Sequence, residues 1–140
     1  MTVRYLLDTN IVSYFLRRSS SALEQRVALG LAQQELAISV LTRAELRFGQ
    51  AAMAEGDRRR GLIDQFLMQL PTLPWTEQAA DHYGHIRDEH RRRGTPIGEL
   101  DTQMAAHALA EDLTLVTHNL RHFERVPGLL LEDWMPIDIA

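Results

Sequence analysis

The sequence predicts a layered α/β fold with parallel strands, and two observations carry that reading. Short apolar runs of strand length recur along the chain, and a helix-periodic segment separates each from the next. Parallel strands need a crossover of that kind, whereas hairpins would need only a tight turn. With 140 residues, 45% of them hydrophobic and 24% charged, the chain has ordinary globular composition and length for one core. No repeat, low-complexity tract or long linker divides it, so residues 1–140 read as a single domain.

In order, Val3–Leu7 (VRYLL) reads as a buried strand that stops at Asp8. Asp8, Thr9 and Asn10 suit a helix start, and Ile11, Val12, Phe15 and Leu16 follow at helical spacing. Ala22–Gln34 is a second helix, with Leu23, Val27 and Leu31 on one face. Leu36–Leu41 (LAISVL) is a second strand, after which Thr42 is expected to cap a helix with Glu45 closing a capping box in its first turn. Helical pattern returns at Arg58–Leu70 and breaks at Pro71–Pro74. It resumes over Thr76–Arg93, which Gly94 closes, and again over Glu99–Asp112. Leu113–Thr117 is a third strand and Leu129–Leu131 a fourth.

Composition removes several chemistries. There is no cysteine, which excludes disulfides, thiolate metal sites and cysteine nucleophiles. All 15 basic Lys/Arg positions are arginine, so Schiff-base chemistry and a P-loop lysine are absent as well. Asp8 and Asn10 interrupt the apolar start before a signal peptide forms, and no run reaches membrane-span length. A cytoplasmic protein with no membrane partner is expected. A net charge of −4 does not advertise a nucleic-acid binder. The arginines nevertheless cluster at Arg58–Arg60 and Arg91–Arg93.

Ligands of parallel α/β sheets sit beyond the carboxyl ends of the strands. Asp8, Glu45 and Asp101 all fall near such places, with Thr117 and Asn119 directly after the third strand. Taken singly, each acid reads as a helix cap or a dipole partner. Taken together, oxygen donors without sulfur suit a hard cation such as Mg²⁺ or Mn²⁺.

The runs LLDTN (Leu6–Asn10), TRAELRFG (Thr42–Gly49), GTPIGELDTQMAAHALA (Gly94–Ala110), LVTHN (Leu115–Asn119) and RVPGLLLEDW (Arg125–Trp134) resemble a PIN domain. More narrowly they resemble the VapC toxins of VapBC toxin–antitoxin systems. The resemblance implies a three-layer α/β/α sandwich around a short, mainly parallel sheet. It implies an Mg²⁺- or Mn²⁺-dependent endoribonuclease that cuts tRNA or other structured RNA and leaves 5′-phosphate and 3′-hydroxyl ends. It also implies a homodimer held inactive by a VapB-type antitoxin. On this resemblance Asp8, Glu45 and Asp101 are the catalytic acids. Asp8 and Asp101 bind metal directly, and Glu45 acts through water or as general base. Thr9, Asn10, Thr117 and Asn119 hold carboxylates and waters in place. Asn119 departs from the fourth acid of many PIN domains. Three formal charges then face at most two cations, so one tightly held metal is expected.

For RNA contact the candidates are Arg91, Arg92 and Arg93, with His118, Arg121 and Arg125 near Asn119. His82 and His85 stand three apart on a helix but lack an evident third ligand, and His107 reads as structural. Trp75 and Trp134 read as core residues rather than base-stacking ones. An aspartyl phosphatase would want an acid where Asn10 stands and a lysine the chain lacks. The other alternative is a catalytically weak PIN-like domain that only binds RNA or partners.

Overall fold

The computed structural model describes residues 2–136, so the two ends of the domain expected over 1–140 lie outside the described residues. Five short parallel strands form the sheet: β1 (Tyr5–Leu7), β2 (Leu36–Ser39), β3 (Thr72–Leu73), β4 (Thr114–Val116) and β5 (Leu131–Glu132). Their spatial order is β3-β2-β1-β4-β5, with Tyr5 beside both Leu36 and Thr114. The chain therefore builds outward from β1 on one side and then returns to build on the other. The switch point lies between β1 and β4, where parallel sheets open a crevice at their carboxyl ends.

Seven helices cover the sheet: α1 (Thr9–Leu16), α2 (Ser21–Ala32), α3 (Val40–Ala51), α4 (Arg59–Gln69), α5 (Glu77–Arg93), α6 (Glu99–Glu111) and α7 (Leu120–Phe123). Alternation along the strands explains the three layers. Tyr5 and Leu7 of β1, with Val116 of β4, face a core shared with Ile11, Leu23, Leu46, Ile63 and Phe66 of α1 to α4. Leu6 and Leu115 face the opposite core, with Ile86, Met104, Ala105 and Phe123 of α5 to α7. Strands buried on both faces have no polar face to show, which is why they read as continuous apolar runs. The expected α/β/α sandwich with a parallel sheet is what forms. No helix among the described residues is long and apolar enough to cross a membrane.

Several boundaries differ from the sequence reading. The second strand ends at Ser39, not Leu41, because the Ser39 hydroxyl accepts the Leu41 N–H and starts α3 three residues early. Thr42 is thus inside the helix and fully buried rather than a cap. Glu45, the sixth residue of α3, lies in its second turn, so no capping box exists. A two-residue edge strand, β3, occupies the proline-flanked break, and β5 is the fifth strand rather than the fourth. Gly94 does close α5, in the left-handed region at φ 68°, its N–H reaching the carbonyls of His90 and Arg91.

Candidate active site

Asp8 leaves the end of β1 as the N-cap residue of α1, yet its carboxylate makes no capping bond to that helix. It turns instead toward β4. Its backbone N–H bonds the Val116 carbonyl at 2.9 Å, and its Oδ2 accepts the Thr117 hydroxyl at 2.9 Å. Thr117 is fully buried and Asp8 only 5% exposed. Burial pushes the Asp8 carboxyl above the ordinary carboxylate range, and the charge of Asp101 pushes it further. The Thr117 hydroxyl and the nearby Thr9 amide pull the other way. Among the described residues no arginine pairs with either acid, and the one ionisable partner of Asp101 is His122 at 3.0 Å.

Asp101 faces Asp8 from the first turn of α6, whose N-cap is Gly98 at φ 95°. Asn119 follows β4; its amide N–H bonds the Thr117 hydroxyl at 3.0 Å, so one threonine orders both Asp8 and the loop. Thr9 joins α1 to α3 through a 2.9 Å bond with the buried Thr42 hydroxyl. The two helices that carry Asp8 and Glu45 at one end are thereby pinned together.

Glu45 is exposed and, unlike Asp101, is not among the groups that shift Asp8. It lines, with Thr9, Asn10 and Ser13, a groove of about 460 Å³ that continues over Leu46, Met53, Leu62 and Ile63 between α1, α3 and α4. Among the described residues no three His, Asp or Glu side chains converge into a ready-made metal cage. The donor set still fits a hard divalent cation. Two neighbouring carboxylates, one of them buried and neither met by an arginine among the described residues, favour added positive charge, and water or substrate oxygens complete such a shell.

The remaining candidates sort by their partners. Arg91 and Arg92 both reach Asp88, at 2.7 and 2.9 Å, and Arg93 reaches Glu89 at 2.8 Å. Arg121 and Arg125 are exposed and form no ion pair among the described residues. His118 is tied to Asp133 at 2.9 Å and stands edge-on to Tyr14. His82 and His85 are exposed, and no third ligand gathers with them among the described residues. His107 is interior, its Nδ1 2.8 Å from the Ser39 hydroxyl. Trp134 is buried against Tyr5, and Trp75 packs on the α5–α6 side with its N–H on the Gln103 carbonyl.

One site residue escaped the sequence reading. His122, on α7, places Nδ1 3.0 Å from Asp101 Oδ2 and 2.8 Å from the Asn119 side-chain nitrogen. Its only signal in the sequence is the three-residue spacing from Asn119, which a four-residue helix turns into a shared face.

Comparison with known proteins gives the family. The PIN domain family matches residues 5–129. The tRNA(fMet)-specific endonuclease VapC of Salmonella typhimurium is 36% identical over 132 residues, covering 94% of this chain and 98% of that protein. Ribonuclease VapC2 of Haemophilus influenzae is 38% identical over 133 residues, covering 95% and 99%. In three dimensions the DNA-bound VapBC of Salmonella typhimurium aligns with a TM-score of 0.86 at 35% identity, covering 95% of this chain and 99% of that one. The chain belongs to the PIN-domain family and, within it, to the VapC ribonucleases.

Proposed function

We propose that this protein is the endoribonuclease toxin of a type II toxin–antitoxin pair, cutting RNA phosphodiester bonds at the Asp8–Asp101 site with Mg²⁺ or Mn²⁺. The observation that carries the reading is a buried carboxylate that makes no capping bond to its helix and lies under the charge of a second carboxylate, with no arginine paired to either among the described residues. PIN-domain ribonucleases of this kind depend on a divalent metal.

Asp8 and Asp101 would hold that ion, with Glu45 reaching it through water. When bound, the ion supplies Lewis-acid polarisation of the phosphate and makes water a better nucleophile. The chain's own groups do the rest. Thr117 fixes the Asp8 oxygen, and Thr9 and Asn10 border the groove along which Glu45 would accept a proton from the attacking water. The water oxygen bonds to phosphorus as Glu45 takes its proton, the bond to O3′ breaks, and O3′ takes a proton from solvent, so that 5′-phosphate and 3′-hydroxyl ends remain. Nothing in these steps uses the 2′-hydroxyl, so preference for RNA comes from binding. The Salmonella relative makes initiator tRNA the first substrate to try.

A VapB-type antitoxin is the proposed partner. The apolar groove running away from Glu45 fits a bound peptide segment, and an arginine from that segment would answer the unpaired acids. A homodimer in the cytoplasm completes the reading. The test is incubation of purified, antitoxin-free protein with total RNA and Mg²⁺ or Mn²⁺, with fragment ends mapped. Cleavage that persists in excess chelator, or no cleavage with either metal, rejects it.

Two expected outcomes follow for the flanking residues. Replacing Arg121 and Arg125 together by Gln should raise KM several-fold with kcat little changed, and reduce the slope of log KM against log salt by about 1.4–1.8. The same change at Arg91–Arg93 should do less, because Asp88 and Glu89 already meet those charges. Equal effects in steady-state kinetics would place Arg91–Arg93 on the RNA after all. Separately, Asn119→Asp adds a carboxylate to the cluster and should tighten Mn²⁺ binding about fivefold, equivalent to ~1 kcal/mol. Calorimetric titration without RNA reads this directly, and an unchanged affinity would remove Asn119 from the metal's surroundings.

A further inference from the structure

We infer that His107, a buried histidine of α6, is a positioning residue for Glu45: through the Ser39 hydroxyl it fixes how α3 leaves the sheet, and so where that carboxylate stands relative to Asp101. This rests on the general-base reading of Glu45 above and deepens it.

His107 is fully buried in a stretch of α6 whose other interior residues are Met104, Ala105, Ala106 and Ala108. A polar ring among them costs free energy unless it is bonded. Among the described residues Nε2 has no hydrogen-bond partner, and the ring's one bond runs from Nδ1 to the Ser39 hydroxyl at 2.8 Å. A leucine would fill much the same space without leaving a ring nitrogen unpaired. What the imidazole adds is the Ser39 contact.

That contact leads to the site. Ser39 ends β2 and is the N-cap of α3, and its hydroxyl also accepts the Leu41 N–H at 3.0 Å. Three residues earlier on α6, the Met104 sulfur accepts the Thr42 hydroxyl at 3.9 Å, and Thr42 in turn meets Thr9 at 2.9 Å. α6 thus holds the start of α3 at two buried points, and the same helix carries Asp101 in its first turn. Glu45 lies six residues beyond Ser39, about 9 Å along a helix. Rotating α3 by about 10° about its axis would move a side-chain tip at its rim by about 1 Å. A displacement of that size costs a general base about tenfold or more. Two pins oppose that rotation where one would allow it.

The test compares two variants that a purely structural role would rank the other way round. His107→Leu keeps the volume and loses the bond. His107→Asn loses volume, but its amide can take the place of Nδ1 opposite the Ser39 hydroxyl. In steady-state RNA cleavage with Mn²⁺, His107→Leu should lower kcat about tenfold while melting near wild type. Its KM and its calorimetric Mn²⁺ affinity should stay within about twofold. His107→Asn should melt lower, yet keep kcat within about threefold. In the Glu45→Gln background His107→Leu should cost nothing further, because the group it positions is gone. Ser39→Ala should match His107→Leu, and it decides the question if His107→Leu does not fold. A kcat that follows melting temperature across the variants overturns the inference. So does full activity in Ser39→Ala, or a His107→Leu loss that persists beside Glu45→Gln. An unchanged kcat in Glu45→Gln alone, or wild type that cuts no RNA with metal, removes the general-base reading and the inference with it.

Discussion

Asp8→Asn and Asp101→Asn should each lower metal-dependent kcat/KM at least about a thousandfold, ~4 kcal/mol of transition-state stabilisation, in a protein that remains folded. The two acids are the neighbouring pair that no arginine among the described residues meets, and each variant removes one charge without changing shape. Cleavage of RNA by purified variants, corrected for host nuclease with a chelator control, reads the loss. Retained activity in either variant removes that residue from the catalytic set.

The same substitution makes a second, independent demand on stability. The Asp8 carboxyl titrates above its ordinary value of 3.8 in the folded protein, first through burial and then through Asp101. A carboxyl raised on folding binds its proton more tightly in the native state. Its stabilising contribution is therefore present below the unfolded pKa and lost as pH rises through the folded one. At neutral pH, without metal, ionised Asp8 weighs against the fold. Asp8→Asn should then melt at the same or a higher temperature than wild type near pH 7, and the advantage should vanish as pH falls toward 3.8. The Asn side-chain oxygen can still accept the Thr117 hydroxyl, so that bond is not lost.

The order of the main strands and helices was legible because the physics was local. A strand buried on both faces shows as an apolar run, so β1, β2 and β4 stood out, and Asp8 was conspicuous as the acid that stopped the first of them. The start of α3 was misread for the same reason. Val40 and Leu41 continue the apolar run of β2, and only the Ser39 capping bond shows that the helix has begun. That shift moved Thr42 from a cap to a buried post against Thr9 and Met104. The edge strand β3 is two residues long beside prolines, too short for any periodicity to register. His122 was invisible because its role depends on α6 and α7 meeting across 21 residues of sequence, which no local pattern encodes.

Glu45→Gln should lower kcat about a hundredfold or more while changing Mn²⁺ affinity only a few-fold, a separation that its place in the fold explains. Asp101 shifts the titration of Asp8, and Glu45 is not among the influences on it. Glu45 sits instead on the exposed second turn of α3, on the wall of the groove with Thr9 and Asn10. A carboxylate there is better placed to take a proton from water entering the site than to share the ion held by Asp8. General-base catalysis of this type contributes on the order of 10²–10⁴. Losing it should leave RNA binding nearly as before, so the change falls on kcat and not on KM. Single-turnover cleavage alongside calorimetric Mn²⁺ titration separates the possibilities. A large loss of metal affinity in Glu45→Gln would mean that α3 closes on the ion and that Glu45 binds it directly. Unchanged cleavage would hand the general-base role to another group on the groove wall.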